Sequence, residues 1–129
     1  MNGIRFGWAA LGALLIAAPV ALGQSFGDPF HFTEQGGAAI YAGICAGCHM
    51  PDGRGATGAA TYPALAQDAR LQAAGYPIAI VLHGQKAMPG FARSLSDQQI
   101  AEVVGFLRTH FGNAYPDMPS AADVKAERD

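Results

Sequence analysis

The sequence predicts a small all-α domain with unusually long loops. Three observations carry this. No stretch alternates apolar and polar residues as a half-buried strand does. Residues 96–112 carry the start signal, the single broad apolar face and the stop signal of one amphipathic helix. Residues 50–63 and 84–93 are punctuated by Gly and Pro, too irregular for either regular element.

The chain has 129 residues, enough for one domain and not two. Its first 23 residues read as an export signal. Arg5 supplies the positive start, an apolar run follows from Phe6 to Val20, and Ala21-Leu22-Gly23 ends it with small residues. Cleavage is expected after Gly23 rather than Ala18, because Pro19 would sit just past the scissile bond. The rival reading is an uncleaved anchor, since the run is nearly long enough to span a bilayer. Removing 23 of 129 residues leaves 106. It also removes Trp8 and Arg5, leaving seven basic and ten acidic residues, a net charge of −3. Such a balance excludes the basic footprint of a nucleic-acid binder. No later stretch is apolar enough to span a membrane. The expected mature chain is soluble and exported, in an oxidising, periplasmic compartment.

Residues 24–33 form an irregular lead-in broken by Gly27 and Pro29. The expected domain covers 34–112, followed by a polar tail, 113–129, with a possible short helix. Thr33 is a candidate N-cap, with Glu34 in the first turn of a helix running to about Ala46. Ile40, Tyr41 and Ile44 form its apolar stripe. Gly36 and Gly37 signal either a fraying end or close approach by another helix. Short helices are expected over Leu65 to Ala74, ended by Gly75, and over Pro77 to His83, stopped near Gly84. Ser96 caps the best helix, with Gln99 completing a capping box. Ile100, Val103, Val104, Phe106, Leu107 and Phe111 share its apolar face. Arg108 and His110 suit its C-terminal end, and Gly112 stops it. Ser120-Ala121-Ala122-Asp123 could cap a last short helix.

Both cysteines stand in "ICAGCHM", as Cys45 and Cys48, with His49 directly behind. A disulfide there would close a tiny strained loop and stabilise little. A thioredoxin-like dithiol wants a βαβ setting that is missing. A structural zinc site needs four ligands, and no second Cys pair exists. Covalent haem attachment remains, which is what C-x-x-C-H signals. Thiols at i and i+3 can add to two vinyl groups on one haem edge, and His49 is carried beneath the iron. A small domain short of bulky apolar residues also gains from a cofactor.

"CAGCH", a loop, "KAMPGF" and a final amphipathic helix resemble the class I (mitochondrial-type) bacterial cytochromes c, from about Glu34 to Gly112. The resemblance implies a small fold whose N- and C-terminal helices cross while short helices and long loops wrap one haem c. It implies that Gly37 and Tyr41 pack this crossing against Val103 and Phe106. It also implies that Pro63, in "TYPAL", accepts the His49 Nδ1 proton through its carbonyl, fixing the tautomer. Many relatives bind a haem propionate through a Trp. The mature chain has none, so Tyr62, Tyr76 or backbone groups would serve.

Candidates for the second axial ligand are His31, His83, His110, Met50, Met88 and Met118. Met50 adjoins His49 and cannot reach the opposite face. His110 suits a helix end, His31 and Met118 lie in the lead-in and tail, and His83 ends an apolar helix. Met88 lies in a loop 39 residues beyond His49, stiffened by Pro89. His49 and Met88 are therefore the expected iron ligands, a pair that raises the reduction potential and leaves no open site. Arg54 and Lys86 either touch propionates or a partner, or are simply solvated.

The expected function is one-electron transfer, not catalysis. Electrons would come from a periplasmic dehydrogenase and pass toward a terminal oxidase or another cytochrome, through a small transient interface. The alternatives are a fixed cytochrome subunit of an oxidoreductase complex, and a haem peroxidase or gas sensor with an open sixth position.

Overall fold

The computed structural model describes residues 30–128. The expected leader, 1–23, lies outside the described residues, as does most of the lead-in. The fold is mostly helical, as the sequence predicts, with one small two-stranded pair.

The first helix is continuous over 37–49 but changes pitch on the way. It is α over Gly37–Ile40, π over Tyr41–Cys45 and α again over Ala46–His49. It starts later than the sequence suggests, and Thr33 is not its cap. Gly36, at φ 83, breaks the backbone first. The preceding strand of chain bonds elsewhere. Gln99 Nε2 donates to the carbonyls of Phe32 and Glu34, at 2.9 and 3.0 Å. The Gly36 amide donates to Glu102 Oε2 at 2.8 Å. A tertiary partner thus replaces the local cap.

Beyond the first helix the chain forms a β-hairpin, Ala56–Thr57 against Thr61–Tyr62. These strands are two residues long, too short to show alternation, and the sequence reading placed only loop there. The expected helix over Leu65 to Ala74 shrinks to one 3-10 turn, Ala69–Gln72, capped by the Asp68 carboxylate on the Arg70 amide. Gly75 opens the middle helix, Gly75–His83, rather than ending the previous one. Gly84, at φ 75, stops it as predicted.

The long helix spans Asp97–Thr109 behind a complete capping box: Ser96 accepts from the Gln99 amide and Gln99 bonds back. Its apolar face is the core. Ile100, Val103, Val104 and Leu107 are buried with Ile40, Tyr41, Leu71, Ile78 and Leu82. The helix stops before Gly112. His110 is already extended, and Phe111 at φ 56 and Gly112 at φ 81 turn the chain away. Arg108, expected to face the helix end, is instead fully buried. It donates to the carbonyls of Leu71 and Gln72, both at 2.8 Å, and to the carboxylate of Asp117.

The last helix, Ala121–Arg128, packs against the middle and long helices and buries Val124 completely. Ser120 and Asp123 cap it reciprocally, at 2.7 and 3.2 Å. At its far end Arg128 pairs with Asp97 and donates to the carbonyls of Ala92 and Leu95.

The first and long helices cross at Gly37. A Cβ placed there would lie 2.2 Å from the Glu102 carbonyl oxygen and 2.5 Å from Phe106 Cβ. No real Cβ tolerates such distances, so only Gly permits this approach. Phe106 is the partner expected; Glu102 supplies the nearest backbone, with Val103 buried in the core beside it. Tyr41 completes the contact, its ring 5.7 Å from that of Phe106.

Candidate functional site

The first helix carries Cys45, Cys48 and His49 on its last two turns. Cys45 is half-buried and Cys48 exposed; both are free thiols. Burial, with Cys48 adding to it, pushes the Cys45 thiol up to about 11. At neutral pH Cys45 is therefore a thiol, not the thiolate a redox dithiol would use.

His49 is buried, at 7% exposure, and its Nδ1 lies 2.9 Å from the Pro63 carbonyl oxygen. A carbonyl can only accept, so Nδ1 carries a proton and donates it to Pro63. Among the described residues nothing hydrogen-bonds to its Nε2. The geometry leaves the His49 Nε2 uncommitted, on the helix that also carries the two thiols.

Pro63 is held in place by the hairpin and by Gly55. The Gly55 amide donates to the His49 carbonyl at 3.0 Å, and its φ is 65. A Cβ on Gly55 would sit 2.1 Å from the Tyr62 carbonyl oxygen and 2.7 Å from the carbonyl carbon of Pro63. The long helix's end presses on the same loop. The Phe111 ring lies against Gly53, and the Gly53 carbonyl accepts from the Leu65 and Ala66 amides. Asn113 finishes the arrangement. It donates to the carbonyls of Leu65 and Leu107, both at 2.8 Å, and accepts from the Asp68 amide at 2.9 Å. Sequence reasoning missed Asn113 and Phe111 in this role. The one cue was an Asn next to Gly112.

Tyr41 lies one helical turn before Cys45. Its hydroxyl donates to the Met50 carbonyl at 2.6 Å. Burial first, then the nearby Cys45 and Asp52, hold this phenol up at about 12, so it remains a donor at any working pH.

Met88 is half-buried against the core, in a tight turn. Gln85 and Met88 exchange both backbone hydrogen bonds, at 3.0 and 2.9 Å. Beyond it, Phe91 and Ala92 bond back to the carbonyls of Val81 and Leu82. The turn is thus stapled to the middle helix. The other candidates are placed less well. His31 is exposed, and His83 is exposed with Nε2 3.4 Å from the Glu127 carbonyl oxygen. The exposed His110 stacks on Phe106 at 4.0 Å and donates to its carbonyl. Met118 is exposed, its side chain laid over Gly105. Arg54 is solvated beside Asp52, and Lys86, Tyr62 and Tyr76 are exposed.

Among the described residues no group of three or more His, Cys, Asp or Glu side chains converges on a metal ion. The pair of thiols and the single free imidazole nitrogen fit a haem instead, which brings four nitrogens of its own. The family profile described as Cytochrome C oxidase, cbb3-type, subunit III matches residues 33–107. The chain belongs to the cytochrome c family. It is 39% identical over 114 residues to the cytochrome c subunit of the alcohol dehydrogenase (quinone) of Gluconacetobacter polyoxogenes, covering 72% of this chain and 22% of that protein. It is 35% identical over 115 residues to the gluconate 2-dehydrogenase cytochrome c subunit of Pantoea cypripedii, covering 74% and 24%. It is 32% identical over 102 residues to cytochrome c6 of Thermosynechococcus vestitus, covering 76% and 81%. The chain thus spans under a quarter of those dehydrogenase subunits but most of cytochrome c6. As a cytochrome c, this chain is an electron carrier with a covalently bound c-type haem, and Cys45 and Cys48 are spaced as in a C-x-x-C-H motif. Among the described residues no helix is long and apolar enough to cross a membrane.

Proposed function

We propose that this cytochrome c is an exported, periplasmic one-electron carrier. It takes electrons from a dehydrogenase and passes them toward a terminal oxidase or another cytochrome. Cys45 and Cys48 hold the haem by two thioethers, and His49 Nε2 and Met88 Sδ ligate its iron. The observation that carries this is the bond between His49 Nδ1 and the Pro63 carbonyl, which fixes the ring and leaves Nε2 as the nitrogen available to the iron. When bound, the haem supplies a reversible one-electron exchange at iron. The chain does the rest. Pro63 strengthens the donation of His49 by drawing on its other nitrogen. The paired backbone bonds of the Gln85–Met88 turn fix the backbone that carries the Met88 thioether. The second iron ligand closes the site to small oxidants, so no substrate chemistry follows.

The test is the absorption spectrum of the exported protein, oxidised and reduced, with and without carbon monoxide. A six-coordinate haem with a weak far-red methionine–iron band, unmoved by carbon monoxide, is the expected result. A high-spin ferrous haem that binds carbon monoxide readily would replace the carrier with a sensor or peroxidase.

A second arrangement has its own support: the dehydrogenase relatives are named as cytochrome subunits. In that case this chain docks permanently on a dehydrogenase. Co-purification with a large subunit, at constant ratio through successive columns, separates the fixed subunit from the free carrier.

A further inference from the structure

Met50 directly follows the proposed iron ligand His49, and its backbone is strained. At φ 65 and ψ 152 it occupies a region that belongs to glycine. Such a conformation persists only where the surroundings over-determine it. Three hydrogen bonds do so here. The Gly53 amide donates to the Met50 carbonyl and the Gly55 amide to the His49 carbonyl, both at 3.0 Å. Both arise within the loop that the strained residue opens. The third comes from outside it: the Tyr41 hydroxyl reaches the Met50 carbonyl at 2.6 Å from nine residues earlier.

Tyr41 is well placed to act as a fixed post. It is 3% exposed, and its ring lies 5.7 Å from Phe106 and 4.9 Å from Phe111. Those rings belong to the long helix and its exit, so Tyr41 is anchored to the helix crossing itself. The π-turn Tyr41–Cys45 lies between this post and the attachment thiols.

We propose that Tyr41 is a positioning residue for His49. Its hydroxyl holds the strained turn after His49, fixing the imidazole from its backbone end as Pro63 fixes it from Nδ1. Packing accounts for the ring of Tyr41; only this second role accounts for the hydroxyl. The inference rests on His49 being the iron ligand.

Tyr41→Phe in the haem-loaded protein tests it, because the ring packing is kept and only the hydroxyl is lost. Amide hydrogen exchange in the reduced protein and haem-methyl proton shifts in the oxidised protein are the readouts. Exchange is expected to rise about tenfold at Gly53 and Gly55, as for one lost hydrogen bond, with the long helix unchanged. The haem-methyl shifts, which report the orientation of the axial imidazole, should move. Adding Met50→Gly should return both toward wild type, because glycine adopts this conformation without strain. Unchanged exchange and shifts in Tyr41→Phe would overturn the proposal. So would a rise spread equally over the long helix, which would mean loosened packing. His49→Ala distinguishes the two layers. If it keeps the wild-type low-spin spectrum, the ligand assignment fails and the role of Tyr41 with it. If it loses that spectrum while Tyr41→Phe moves nothing, only the positioning role falls.

Discussion

Arg108, fully buried in the long helix, and Asp117, exposed in the tail, meet through both carboxylate oxygens at 2.8 Å. The guanidinium also holds the carbonyls of Leu71 and Gln72, so one side chain ties three segments together. Removing it leaves the buried carbonyl of Leu71 without its donor. Arg108→Ala is expected to cost about 1–3 kcal/mol, the range for leaving a buried polar group unsatisfied, because the orphaned carboxylate of Asp117 is exposed to water. Urea denaturation of the haem-loaded protein checks this.

The same pair sets an acid limit. The hydrogen bond from Arg108 holds the Asp117 carboxyl below its ordinary range, and the Ser120 amide and hydroxyl do the same for Asp123. A carboxyl depressed in the folded state adds stability above its unfolded value, and that stability is lost as pH falls through the folded value. The wild-type melting temperature should therefore drop as pH falls below about 4. Asp117→Asn should melt lower than wild type at neutral pH, with the two curves converging in acid. Parallel curves would assign the acid sensitivity to other groups.

Gly37→Ala tests the crossing. Its Cβ would meet the Glu102 carbonyl and Phe106 at impossible distances, so the helices must move apart. The expected loss is about 1–3 kcal/mol, as for other overpacked sites. Chemical denaturation measures it, and a neutral result would mean that the crossing is loose in solution.

Gly55→Ala reaches His49, the proposed iron ligand, indirectly. The added methyl collides with the backbone of Tyr62 and Pro63 and pushes the Pro63 carbonyl away from His49 Nδ1. A weaker bond there lowers the electron donation of the imidazole. The reduction potential should rise, and less haem-loaded protein should accumulate. Potentiometry and haem-stained gels report the two effects separately.

Met88→Ala tests the proposed sixth ligand. The far-red band should disappear, the reduced protein should bind carbon monoxide, and the reduction potential should fall. If His83 were the ligand instead, Met88→Ala would leave all three unchanged.

Much of this was legible in the sequence. The Ser96 to Gln99 capping box is a local signal and appears where it was read. Gly37, four residues before an aromatic, marked the crossing, and Pro63 stands where the resemblance puts it. What was not legible depends on distant partners. Arg108 reads as a solvated helix-end cation because its carbonyl acceptors lie 37 and 36 residues away in sequence. The first helix loses its Thr33 cap because Gln99 and Glu102 bond the lead-in. The hairpin escaped because strands of two residues have no period to detect.

The contact between Gly36 and Glu102 joins residues 66 apart, and every group that would hold the haem lies inside that loop. Closing a loop of this length costs about 4 kcal/mol of chain entropy before any helix packing offsets it. Pairings this remote raise the contact order of the fold, which slows folding relative to a bundle built from local contacts. The segment carrying Cys45, Cys48 and His49 is thus closed off by contacts between remote parts of the chain.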